Sequence, residues 1–170
     1  MNRFKVLWVI AALALVSLLP SYSPAAELDE NLHFLQRLMD NDWVGGYVGP
    51  DAPDIEILLH FEQILGGKAV KYTRKAEAAN FEAVTHFFWI QEKGEVHFIN
   101  LNNRGIVEEG VAKVVDGTVV LYGKSYWPDR TMEFKTIWSL DSEGTLTDTY
   151  TRMENGEWVP GHVQQFEIKE

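Results

Sequence analysis

The 170-residue chain contains no cysteine, which excludes disulfides, thiolate metal sites and a cysteine for lipid attachment. Whatever fold it adopts stands on its own apolar core. Basic residues are also scarce: 15 Lys and Arg face 25 Asp and Glu, for a formal charge of −10. Such a balance argues against nucleic acid and anionic membrane surfaces as partners, since both reward Lys and Arg. Long apolar runs are missing with one exception, "VLWVIAALALVSLL" from Val6 to Leu19, and that falls short of the roughly 20 residues of a spanning helix. The sequence also lacks His-Glu-x-x-His, a phosphate-cradling glycine loop and a Gly-x-Ser-x-Gly elbow, so no catalytic residue is nominated.

The exceptional run follows "MNRFK" and precedes "PSYSPAAE". A basic start, an apolar stretch and small residues at Ser23 and Ala25 form a secretory signal peptide over residues 1–25, cleaved after Ala25. The expected mature protein is exported, periplasmic or secreted, with no stable membrane anchor. Losing Arg3 and Lys5 moves its charge to about −12. Residues 26–170 suit one domain, long enough to bury a sizeable core.

"ELDENLHFLQRLMD", Glu27 to Asp40, spaces Leu28, Leu32, Leu35 and Met39 by threes and fours, which predicts one short N-terminal α-helix. Everything after it alternates like strand. Ten extended runs begin near Trp43, Ile55, Ala69, Phe81, Glu95, Ile106, Val119, Thr131, Thr145 and Trp158, most separated by turn sequences such as "VDGT" and "ENGE". Connections that short make hairpins. The predicted fold is all-β, a closed up-and-down antiparallel barrel of about ten strands, because closure removes exposed edges. In "NDWVGGYVG", Asn41 to Gly49, the glycines permit sharp bending of the first strand and close backbone approach, while Trp43 plugs one end.

A Trp-x-Gly-x-Tyr-like first strand after a short helix, followed by an antiparallel meander, resembles the calycin superfamily of lipocalin-like and fatty-acid-binding-protein-like barrels. "LGGKAVKY", "DGTVVLYG" and "MENGEWVPGHVQQFEI" look like an uncharacterised bacterial lipocalin-like family. "GGKAVKYTRKA", "RGIVEEG" and a histidine before the last strand, here His162, are similar to nitrobindin, a haem-binding barrel. The first resemblance implies an interior ligand site; the second implies haem with His162 as axial ligand.

Strand alternation sorts side chains by face. In "LTDTYTRM" one face carries Leu146, Asp148, Tyr150 and Arg152, the other a row of threonines. A threonine row suits a solvated face, which turns Tyr150 and Arg152 inward. Val70, Tyr72 and Arg74 share a face in the same way. These two Tyr/Arg pairs resemble the carboxylate clamp of fatty-acid-binding proteins, whose guanidinium fork matches a carboxylate. The competing expectation pairs Arg152 with a glutamate near the mouth and Arg74 with Glu62 or Glu109. Phe134 and Trp138 line the wall. His60, His86 and His97 lie on three different strands and would bind metal or relay protons only if their faces coincide; His33 reads as structural.

The expected function is binding of a small apolar or amphipathic ligand in the barrel interior, with Tyr72, Arg74, Phe134, Trp138, Tyr150 and Arg152 as the site and no cofactor. One alternative is a haem-binding barrel using His162. The other is a non-catalytic interaction module whose aromatic residues fill the core.

Overall fold

The computed structural model describes residues 27–170; the signal-peptide reading lies outside the described residues. Ten antiparallel strands follow in order: β1 (Asp42–Tyr47), β2 (Ile57–Ile64), β3 (Ala69–Ala76), β4 (Phe81–Ile90), β5 (Glu95–Asn102), β6 (Val107–Val115), β7 (Thr118–Tyr126), β8 (Thr131–Leu140), β9 (Leu146–Glu154) and β10 (Glu157–Ile168). Each pairs with its sequence neighbours, and β1 pairs with β10 to close the barrel. Among the described residues no strand of the barrel is left with an unpaired edge.

Closure depends on how near β1 and β10 approach each other. A Cβ on Gly45 would lie 1.9 Å from the Gln165 carbonyl oxygen, and one on Gly46 would lie 2.5 Å from that of Ile55. Only glycine fits at these places, which answers why the first strand is glycine-rich.

The N-terminal helix is a 3-10 helix, Glu30–Leu38, rather than the α-helix that the sequence predicts. Its buried residues, Leu32, Leu35 and Leu38, recur every three positions, the period at which 3-10 side chains eclipse. Asp29 caps it, accepting from the Asn31 amide at 3.1 Å and pairing with Lys68. The Asp29 amide donates to the Gly67 carbonyl at 2.9 Å, tying the helix to the β2–β3 turn. Trp43 then plugs this end as expected: it is 1% exposed and its indole Nε1 donates to the Leu38 carbonyl at 2.9 Å.

Alternation puts one face of every strand inside. At the helix end the interior is filled by Trp43, Phe61, Val70, Phe87, Leu146 and Phe166, all fully buried. Toward the opposite end the inward positions of β3 and β4 shrink to Ala76 and Ala83. A ten-stranded barrel is too wide for such residues to fill, and a cavity follows.

Candidate functional site

A cavity of about 1050 Å³ occupies the barrel away from the helix. Its mouth is framed by Pro53 and Ile55 of the β1–β2 loop and by Arg104, Trp127 and Arg130 of the hairpin turns. Arg104 sits 5.3 Å over the Phe81 ring and Arg130 4.8 Å over Trp127, cation–π contacts that keep both guanidinium groups at the rim.

Tyr72, Arg74, Phe134, Trp138, Tyr150, Arg152 and His162 all line this one cavity. Tyr72 stacks on Phe61 at 4.4 Å and meets Trp138 edge-on at 5.3 Å. Phe134 stacks on Tyr150 at 5.8 Å, and Tyr150 on His162 at 4.9 Å with the rings only 7° apart. The aromatic wall thus runs as a ladder from the filled end to the mouth.

His162 reaches Tyr150 because β10 bulges between Pro160 and Val163. Opposite Tyr150 the strand accommodates an extra residue, re-aiming the side chain that follows. Gly161 is required there, since a Cβ would sit 2.4 Å from the Tyr150 ring. Burial lowers the His162 pKa, helped by Arg74 and Arg152 against the opposing pull of Asp148.

The polar floor differs from the expected one. Arg74 pairs with neither Glu62 nor Glu109: its Nη2 donates to Asp148 Oδ2 at 2.5 Å and its Nε to the Tyr72 hydroxyl at 3.0 Å. The reason is strand parity. Glu62 lies on the outer face of β2, bound to Lys71 at 2.7 Å, and Glu109 on the outer face of β6, where it accepts from the Tyr126 hydroxyl. Arg152 does pair with a glutamate near the mouth, Glu154.

This charged centre perturbs its neighbours. Burial pushes the Tyr72 hydroxyl up to about 12, partly opposed by Arg74. Burial disfavours the Arg74 charge as well, but Tyr72 and Asp148 outweigh it and the pKa rises. Burial raises Glu108, with Ser125 and Arg74 opposing and Asp148 reinforcing. Tyr150 is pushed up to about 12, by burial first and by Glu108 second.

Three further residues belong to the site: Asp148, Gln164 and Glu108 line the cavity. Asp148 was visible as an inward position between Leu146 and Tyr150, and a carboxylate there calls for an inward cation, which Arg74 supplies. Gln164 carried a similar signal, two residues before the core residue Phe166. Glu108 was masked by Glu109 beside it.

The three strand histidines do not converge. His60 pairs with Asp42 at 2.7 Å on the outer face, and His97 stacks on the outward Phe88 at 6.4 Å. His86, directly opposite Ile99 in register, shares that outer side. Among the described residues no group of three His, Asp or Glu is placed to hold a metal ion. His33 Nε2 donates to the Leu28 carbonyl at 3.0 Å. No protein-family model and no curated protein matches this chain.

Proposed function

We propose that the protein is an exported, lipocalin-like binding protein that holds a small amphipathic molecule inside its barrel. The observation that carries this reading is the cavity of about 1050 Å³, which lies just above the range of about 300–1,000 Å³ usual for small-molecule sites and combines an aromatic wall with a few convergent polar groups. A module with a filled core would have no use for such a space. The aromatic ladder offers flat apolar surface to the ligand body, while the Arg74–Asp148 centre marks a fixed polar end.

The haem alternative rests on His162, whose lowered pKa favours the neutral imidazole that ligates iron. The surroundings fit a haem less well. The His162 ring lies flat on Tyr150 and edge-on to Tyr47 at 5.4 Å, and an apolar macrocycle set deep beside it would face Asp148 and Glu108.

A native mass spectrum of mature protein, recovered from the exported fraction of a host without delipidation, tests the reading. A discrete added mass is expected, of an amphipathic metabolite or lipid. A haem mass with a Soret band lost in His162→Ala would instead establish the alternative. A bare polypeptide that also takes up no apolar fluorescent probe would support the filled-core module.

A further inference from the structure

Two buried oxygen atoms on the cavity floor have no hydrogen-bond partner: Oδ1 of Asp148 and Oε1 of Gln164. Their residues are 3% and 1% exposed. Orphaned acceptors at this depth are costly and call for an explanation. The pair is also local, because Asp148 on β9 and Gln164 on β10 stand directly opposite in register. Inward side chains so placed have Cβ atoms about 4.5–5.5 Å apart, within the span of one small head group.

We infer that the deep end of the cavity receives the hydrogen-bond-donating head of the ligand, an ammonium or hydroxyl group, and disfavours a carboxylate. This rests on the reading that the cavity is the ligand site. Arg74, the residue on which a carboxylate clamp would depend, is already committed to Asp148 Oδ2 and the Tyr72 hydroxyl, and its charge is balanced. Of the cavity-lining side chains, the buried atoms left without a partner are these two acceptor oxygens. Glu108 adds a further carboxyl to the same floor, so an anionic head would meet like charge and lone pairs. An ammonium head would meet compensation instead. The register neighbours supply the rest of the recognition: Asp148 is flanked on β8 by Trp138, and Gln164 on β1 by Tyr47. Both residues line the cavity, and an aromatic face within reach of an ammonium group attracts it.

The test uses three probes that share one alkyl chain, decylammonium, decanol and decanoate, titrated into the mature protein below their micellar concentrations at neutral pH and followed by calorimetry. Decylammonium is expected to bind roughly tenfold or more tightly than decanoate, as charge-assisted hydrogen bonds imply, with decanol between them. Gln164→Leu should weaken decylammonium by about tenfold and leave decanoate unchanged. Its unfolding midpoint should equal or exceed that of the parent, because it deletes an unsatisfied acceptor. Decanoate binding as tightly as decylammonium would overturn the donor-head inference while leaving the cavity reading intact. Unchanged decylammonium binding in Gln164→Leu would also overturn it, by placing the cation on the acidic exterior. A clear loss of stability in that variant would do the same, by showing that the Gln164 oxygen is satisfied within the protein. If none of the three probes binds, the inference and the cavity reading fail together.

Discussion

Arg74 and Asp148 are far apart in the chain and meet in the barrel interior, with side chains only 20% and 5% exposed. Such a pair contributes little net stability over apolar residues of the same shape, yet breaking it on one side leaves an uncompensated buried charge. Arg74→Met is therefore expected to lower the unfolding free energy by about 3–5 kcal/mol, because it strands the Asp148 carboxylate beside the already unpartnered Oδ1. The double variant Arg74→Met/Asp148→Leu should recover most of that loss. Urea unfolding of the two single variants and the double gives the coupling directly. Additive losses would mean that the pair is not the electrostatic unit the geometry describes.

Among the elements, the strands were legible because turn chemistry and alternation agree. Asp116 and Gly117, at φ 49° and 79°, form the turn that "VDGT" announces, and β8 begins at Thr131, where the pattern predicts. The connection before β4 carried a weaker signal, although β4 begins at Phe81 as predicted. The β3–β4 connection is a short 3-10 turn, Glu77–Ala79, closed by Asn80 at φ 46°, and an asparagine in that conformation is less conspicuous than a glycine. The pairing of Arg74 with Asp148 was half legible, since alternation turns both inward but the spacing of neither strand says that β3 and β9 meet across the barrel. The glycines of β1 were read correctly as sites of close approach, and they make a sharp prediction. Gly45→Ala would drive a methyl group into the Gln165 carbonyl, so the β1–β10 seam must shift. A loss of roughly 1–3 kcal/mol is expected, the usual cost of overpacking. Thr147→Ala, which trims an outward residue paired with the same Gln165, should stay within about 0.5 kcal/mol of the parent. Urea midpoints compare the two, and equal effects would show that the seam has slack.

For the molecule as a whole, division into a filled end and a hollow end sets where its stability is vulnerable to pH. The hollow end keeps ionisable groups out of water, and Glu108 is the one whose shift works against folding near neutrality. It faces Arg74 on β3, Asp148 and Tyr150 on β9, Ser125 on β7 and Asn100 on β5. Its pKa is raised above the ordinary 4.5 by burial, so the folded protein holds the proton longer than the unfolded chain does. Well below 4.5 both states are protonated and the full benefit of the neutral form is present. As the pH rises through 4.5 toward the raised value the unfolded chain ionises first, and stability falls by at most about 1.4 kcal/mol per pH unit. His162, with a lowered pKa, contributes the opposite slope as the pH falls below its ordinary 6.5, so the parent profile alone mixes the two. Glu108→Gln separates them, because it keeps His162 and removes the carboxyl. The variant's stability advantage over the parent, measured by thermal unfolding across the acid and neutral range, is expected to widen as the pH rises above 4.5 and then level off. An advantage that does not change with pH would mean that Glu108 ionises in the folded barrel as readily as in water, and that the cavity floor is wetter than its geometry implies.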